Sequence, residues 1–252
     1  MTWVFLHGFL GRPASWDGIV RRLGPSTHAI RPSLFGHGAV PPTSPEIAFD
    51  DEVDRIANLV EREGARGAHV VGYSMGARVA LGLVVRHPHL VERATLIGVH
   101  PGLDAEDERA ERRREDEAQA KDVIARGMDA FVTSWEALPM FESQRATLHP
   151  DVQDAQRAVR ASHLEGGVAA ALRSLGLGAM PSRWAALPTV RVPVDLVVGE
   201  LDAKFRALAE RAAEALPVSR VTVVPAVGHN VVLEAPDALR DVLVSPAPEA
   251  RP

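Results

Sequence analysis

The stretch Ala68 to Arg78, AHVVGYSMGAR, sets the reading of the whole chain. An apolar, β-branched run ends in Gly72-x-Ser74-x-Gly76 and passes into Ala77 to Val85, an apolar segment with helical character. A strand that turns sharply into a helix forces the residue at the apex into a strained backbone conformation, and only small neighbours leave room for such a turn. The Ser74 hydroxyl is then lifted clear of the sheet, beside the first backbone N–H groups of the helix. That is the geometry of a nucleophile elbow. A tight strand-to-helix turn with a solvated serine fits the same five residues, so the choice rests on what else the chain places at strand ends.

At 252 residues, 46% of them hydrophobic, the chain is long enough for one large α/β domain carrying an insertion. A net charge of −5 provides no global basic field for nucleic acid or an anionic membrane, so an anionic ligand must be held by local arginines. The absence of cysteine excludes disulfides, a thiol nucleophile and thiolate metal sites, and suits a reducing compartment. The opening MTWVFLHGFL has neither a basic region nor a small-residue cleavage site, and no apolar run approaches membrane-spanning length. These features predict a soluble, cytoplasmic protein, expected to be a monomer with no nucleic-acid or membrane partner.

Strand patterns are read at Trp3–Leu6, His28–Arg31, the elbow, Ala94–Val99, Val192–Val198 and Arg220–Val224, with helical spacing at Ser15–Leu23, Phe49–Glu63 and Ala207–Ala215 between them. Such alternation predicts a parallel sheet of about six strands wrapped on both faces, with ligands at the carboxyl ends of the strands. A first strand starting at Trp3 leaves nothing before it to pair as a hairpin, so an antiparallel edge strand is not expected. After that strand, His7-Gly8 can turn the chain so that the N–H of Phe9 faces the serine and, with the N–H of Met75, forms an oxyanion hole; alone, the dipeptide is also an ordinary strand-ending turn. His37, in the glycine-rich Leu34–Gly38 loop, reads as a loop-stapling hydrogen-bonder.

Beyond His100-Pro101-Gly102 the texture changes. Asp104 to Lys121 is almost wholly charged or alanine, and helical segments follow at Val123–Leu138, Asp151–Arg160 and Leu164–Leu175. Roughly eighty residues of helix between two strands far exceed an ordinary crossover. The expected division is therefore a core of residues 1–102 and 184–252 and an inserted helical lid of residues 103–183. Later, Asp202 follows the strand that ends at Val198, and His229 follows the last strand. Ser74, Asp202 and His229 stand in the chain order of the α/β-hydrolase triad, each just after a strand. The expected fold is accordingly α/β, of α/β-hydrolase type.

LHGFLG at Leu6–Gly11, GYSMGAR at Gly72–Arg78, HPGL at His100–Leu103, ERAERRR at Glu108–Arg114, GELDAKFRALA at Gly199–Ala209 and GHNVVLEAP at Gly228–Pro236 together give the chain its family likeness. Over nearly its whole length it resembles the 2-succinyl-6-hydroxy-2,4-cyclohexadiene-1-carboxylate synthases, the pyruvate-eliminating lyases of menaquinone biosynthesis. The resemblance implies a small tricarboxylate substrate, with Arg78, Arg112 and Arg160 at substrate-binding positions and Tyr73, Trp135 and Phe141 at pocket positions. It implies no metal or organic cofactor. Arginine suits this work because its planar fork meets a carboxylate through two charge-assisted bonds. Two departures stand out: Ser33-Leu34-Phe35-Gly36-His37-Gly38 replaces the usual D-L-P-G-H-G, and His163 stands where an asparagine commonly follows the third arginine. Ester or carbon–carbon bond hydrolysis on the same scaffold is the competing activity, and a non-enzymatic ligand receptor the further alternative, disfavoured by the intact Ser74, Asp202 and His229.

Overall fold

In the computed structural model, residues 2–42 and 44–250 are described. Six strands form one sheet: β1 Thr2–Leu6, β2 His28–Ile30, β3 Ala68–Tyr73, β4 Val91–Ile97, β5 Val194–Gly199 and β6 Ser219–Val224. Their order is β2-β1-β3-β4-β5-β6, and every pairing among the described residues is parallel. The helices are α1 Asp17–Leu23, α2 Phe49–Arg62, α3 Met75–Arg86, α4 Glu106–Glu136, α5 Glu142–Thr147, α6 Pro150–Ala161, α7 Glu165–Leu175, α8 Ala203–Ala215, α9 Val231–Glu234 and α10 Pro236–Val244. None among the described residues is long and apolar enough to cross a membrane.

Strands of a sheet covered on both faces lack alternation, and β3 and β5 are buried along nearly their whole length. One face packs on α2, α3 and α8 through residues such as Val53, Ile56, Leu83 and Ala212; the other packs Phe5, Val71 and Val197 against Trp16 and Ile19 of the α1 region and Leu239 and Leu243 of α10. The register decides where function can sit. Leu6 pairs with Gly72, Tyr73 with Ile97 and Gly199 with Val224, so the carboxyl ends of β1, β3, β4, β5 and β6 fall in line. The loops carrying Phe9, Ser74, Asp202 and His229 therefore leave the sheet along one edge, close to the switch point between β1 and β3.

Several boundaries differ from the sequence expectation, for identifiable reasons. β4 begins at Val91 and ends at Ile97, because Gly98 turns the chain away at φ 59° and because Arg93, charged yet buried in the strand, finds the buried Asp195 of β5 (2.8 Å). Ser15 and Trp16 belong to a 3-10 turn, Pro13–Trp16, preceding α1. The two helices expected on either side of Lys121 are a single run, α4, broken only at Gly127, which adopts φ 78°. α8 starts directly after Asp202, four residues before its expected start.

The helices α4 to α7 lie between β4 and β5 in sequence. Their own small core unites Val123, Phe131 and Val132 of α4 with Val168 and Leu172 of α7, and it includes Leu10 from the loop after β1. Leu10 has φ 57°, a conformation that costs a non-glycine residue about 1–2 kcal/mol. Its side chain is buried, and burial of a leucine contributes roughly 1.5–3 kcal/mol, enough to offset that strain. At the other end, Leu175, Leu177 and Met180 join the main core under the sheet. The insertion is thus tied down at both ends.

Candidate active site

Ser74 caps the start of α3 with φ 52° and ψ −109°, a strained backbone for a residue bearing a side chain. Close packing fixes it there. A Cβ on Gly72 would collide with the Gly76 carbonyl, and one on Gly76 would collide with the carbonyl of Leu6 at the end of β1. The Ser74 N–H donates to Ile97 O (2.8 Å), tying the elbow to β4.

The loops after β5 and β6 are stitched together: Glu200 N–H donates to Val224 O (2.9 Å) and Leu201 N–H to Val227 O (2.9 Å). This brings Asp202 to His229, whose Nδ1 lies 2.6 Å from Asp202 Oδ2 while its Nε2 lies 3.0 Å from Ser74 Oγ. With Nδ1–H donating to the carboxylate, Nε2 is the lone-pair nitrogen facing the serine hydroxyl. The imidazole is buried, and the rings of Phe205 (centroid 4.4 Å) and Tyr73 (5.4 Å) flank it. Gly98 passes so close that a Cβ there would lie 2.7 Å from His229 Cε1.

Beside Ser74, the chain turns at Gly8–Gly11, closed by Gly11 N–H to Gly8 O (3.0 Å). Gly8 is held to glycine by the Tyr73 ring, which its Cβ would meet at 2.8 Å. Among the described residues, the N–H groups of Phe9 and Met75 donate to no protein acceptor, which leaves both free for an oxygen atom outside the protein.

A cavity of about 720 Å³ opens over this centre, lined by Phe9, Tyr73, Ser74 and His229 from the sheet edge and by Trp135, Phe141 and Arg160 from the insertion. Arg160 is buried, with its guanidinium carbon 4.8 Å from the Phe141 ring centre and Nη1 2.9 Å from Glu136 Oε1. Arg157 takes the other oxygen of that carboxylate (2.8 Å), so Arg160 enters the cavity as one cation of a shared pair.

Arg78 and Arg112 do not line this cavity and form a second group. Arg78, one turn into α3, donates its N–H to Ser74 O (3.2 Å); its side-chain Nη1 is enclosed and has no hydrogen-bond partner among the described residues. Burial, and then the neighbouring Arg112, pull the Arg78 guanidinium down to about 10. Arg112 donates from Nε to Asp116 Oδ1 (2.9 Å), and Asp116 Oδ2 accepts the Gly178 N–H (3.1 Å). Arg109, half-buried, and Arg114, exposed, pair instead with Glu106 and Glu111 of their own helix. The same cationic region bears on His100, which burial and then Arg78, Lys204, Arg112 and Arg211 hold down at about 4.

The motif HPGL has a structural role that its sequence does not announce. His100 Nδ1 accepts the Gly102 N–H (3.1 Å), Pro101 O accepts from Arg183 N (2.7 Å), and Gly102 O accepts from Trp184 Nε1 (3.0 Å). The beginning of the insertion is thereby sewn to its end. Two contributors to the site went unread in sequence: Gly98, a lone glycine after a strand, and Phe205, whose only signal was its place in the motif around Asp202.

Residues 3–242 match the family described as "Alpha/beta hydrolase family". A protein of Escherichia coli O1:K1 named 2-succinyl-6-hydroxy-2,4-cyclohexadiene-1-carboxylate synthase is 31% identical, over 92% of this chain and 88% of its own length. A Bacillus subtilis (strain 168) protein provisionally given the same name is 34% identical, over 92% of this chain and 85% of its own. Among solved structures, MenH from S. aureus superimposes with a TM-score of 0.91 at 31% identity, covering 97% of this chain and 92% of that one. A thermophilic esterase from Thermogutta terrifontis follows at 0.82 and 25% identity, covering 96% and 88%. By sequence over 92% of its length and by fold, the chain belongs to the α/β-hydrolase family and, within it, to the family of the 2-succinyl-6-hydroxy-2,4-cyclohexadiene-1-carboxylate synthases.

Proposed function

We propose that the protein is a carbon–oxygen lyase that eliminates pyruvate from 2-succinyl-5-enolpyruvyl-6-hydroxy-3-cyclohexene-1-carboxylate, leaving the conjugated diene, with Ser74, His229 and Asp202 as its triad. The observation that carries this reading is the unbroken chain Asp202–His229–Ser74 at 2.6 and 3.0 Å in a protein with relatives named as such synthases.

In this mechanism Asp202 fixes the tautomer of His229, and Nε2 draws the proton from Ser74 Oγ. The serine oxygen then removes the ring proton α to the succinyl ketone. Charge developing on the ketone oxygen is met by the N–H groups of Phe9 and Met75, each worth about 3 kcal/mol in such a position. The electron pair moves through the ring double bond, the bond to the enolpyruvyl oxygen breaks, and the departing group takes up a proton and becomes pyruvate. The residues themselves supply base, electrostatic stabilisation and enclosure. Arg160 supports the binding of one carboxylate in the cavity, and the free Nη1 of Arg78, backed by Arg112, supports another. Trp135 and Phe141 supply apolar walls, and the helices carrying them act as a lid over Ser74.

Ester hydrolysis is the second reading, favoured by the same triad and by the likeness to the esterase structure. One experiment separates them. Supplied with the enzymatically generated intermediate, the protein should release pyruvate, followed by a lactate dehydrogenase couple, in step with the diene absorbance. Ser74→Ala should abolish that release, and mass spectrometry of the quenched parent should find no acyl group on Ser74. Rapid turnover of an aryl ester, with pyruvate release at the uncatalysed rate, would overturn the lyase in favour of the hydrolase.

A further inference from the structure

The Phe9 N–H, half of the oxyanion hole, belongs to the Gly8–Phe9 peptide, and the residue that follows it in the turn, Leu10, is neither glycine nor relaxed. Leu10 has φ 57°; the carbonyl of the Gly8–Phe9 peptide accepts from the Gly11 N–H (3.0 Å) and from His7 Nδ1–H (2.8 Å), while the next peptide, Phe9–Leu10, lies outside these bonds. What engages the peptide is a side chain from another loop: the Leu10 N–H donates to His37 Nε2 at 3.1 Å. The edge of the same imidazole meets the Phe9 ring, with centroids 5.8 Å apart and planes at 87°.

His37 is itself over-determined. Its Nδ1–H donates to Phe35 O (3.0 Å), which fixes the tautomer that leaves Nε2 as acceptor. Ser33 Oγ donates to His37 O (3.0 Å), and the next residue, Gly38, donates its N–H to Nδ1 of His163 in the insertion (2.9 Å). The His37 ring lies between those of His7 and His163, with centroids 4.9 and 5.4 Å away. Ser33 and His163 are two of the three positions, with Phe35, at which this chain departs from its family's pattern, and here both grip the loop that carries His37.

We propose that His37 is a positioning residue of the reacting centre: by accepting the Leu10 N–H it holds the Phe9–Leu10 peptide in its strained turn, so that the Phe9 N–H stays aimed at the oxygen that becomes charged. Ser33 and His163 act one step further out, setting His37. Burial, with His7 and His163 adding to it, holds the His37 imidazole well below its ordinary range, and a neutral ring is what an acceptor role requires. The inference rests on Ser74 and the Phe9/Met75 pair being the reacting centre, and is independent of which reaction they perform.

The test uses pyruvate release together with a trifluoromethyl ketone, whose adduct with Ser74 places an alkoxide in the hole. His37→Ala should lower kcat about 10- to 100-fold with KM within a factor of about two, and weaken ketone binding by a similar factor. His37→Gln, which puts an oxygen near the place of Nε2, should recover most of both; His37→Asn, too short, should not. If His37→Ala fails to fold, the Gln and Asn pair carries the comparison. Equal kcat and ketone affinity in parent and Ala variant, or equal loss in Gln and Asn, would overturn the proposal. A parent that binds no ketone would overturn the reacting centre itself and the proposal with it, whereas a parent that binds ketone but releases no pyruvate would remove only the lyase reading.

Discussion

Gly98 and His229 are in such close contact that the glycine acts as the seat of the imidazole: a Cβ on Gly98 would stand 2.7 Å from Cε1 and 3.1 Å from Nδ1. The chain reaches this position because Gly98 takes φ 59° immediately after β4, while its N–H stays bonded to Val197 O (2.9 Å). Gly98→Ala therefore combines a left-handed alanine, costing about 1 kcal/mol, with a push on a ring held at hydrogen-bond distance from both partners. We expect kcat to fall on the order of 100-fold, the effect of displacing a reacting group by about 1 Å, while the melting temperature drops by only a few degrees. Steady-state kinetics beside thermal melts check it; an unimpaired kcat would mean that His229 has room the geometry denies.

Glu136 competes with any bound carboxylate for Arg160. It holds Arg160 at 2.9 Å and Arg157 at 2.8 Å, and the Arg160 guanidinium is largely out of water. Replacing Glu136 by Gln keeps the shape and removes the charge, leaving Arg160 a stronger site for an anion. The expected result is a KM for the tricarboxylate lowered several-fold, from a gain of about 1 kcal/mol, with a small loss of stability from the uncompensated guanidinium. A KM that does not move would place Arg160 outside the substrate's reach.

The parts of the site legible in the sequence are those whose signal is local. Glycines at 72 and 76, small because Leu6 and Gly76 carbonyls crowd them, announce the elbow, and acids or histidines just beyond apolar runs announce Asp202 and His229. What stayed hidden depends on partners distant in the chain. Arg93 disguises the first half of β4 because its counterion Asp195 lies on a different strand, and α10 is short enough to be passed over until Leu239 and Leu243 are seen against Trp16. The arginines show the same limit. Residue type marks Arg78, Arg112 and Arg160 alike, but only the folded chain distinguishes an arginine with an idle Nη1 from one bonded to Asp116 and one sharing Glu136.

That distinction orders the arginine variants. Arg78→Ala removes a guanidinium with an unsatisfied donor and, among the described residues, no ion-pair partner, so it costs the fold little and the bound anion about 1.5–3 kcal/mol, which is 10- to 100-fold in kcat/KM. Arg112→Ala leaves Asp116, nearly fully buried, with only the Gly178 N–H, and should lower both kcat/KM and the melting temperature. Paired kinetics and melts separate the two. Equal stability losses would show that Arg78 has a structural partner, and unchanged kcat/KM in both would make them bystanders.

Stability should fall as the solution is made mildly acidic, because several histidines are buried in the neutral form. Burial lowers His7 and His100 to about 4 and His69 to about 3, and holds His37 and His163 below their ordinary value. In the unfolded chain each titrates near 6.5, so between that pH and about 4 the unfolded state binds more protons than the native one, and lowering the pH draws the equilibrium toward it. A single histidine moved from 6.5 to about 4 contributes on the order of 3 kcal/mol to this loss, present in full above pH 6.5 and gone once the native group also protonates. Above about pH 5 the carboxylates contribute little, so the slope there belongs to the histidines. Urea midpoints at pH 7.5, 6.5, 5.5 and 5 should decline steadily below 6.5. His69 offers the internal control: it bonds Thr95 through Nε2 (2.8 Å), has an idle buried Nδ1 and stacks on Trp3, far from the reacting centre. His69→Gln should flatten the decline by one histidine's share while leaving kcat intact. A midpoint that holds level from pH 7.5 to 5 would mean that these imidazoles reach water, or carry their charge, in the native protein.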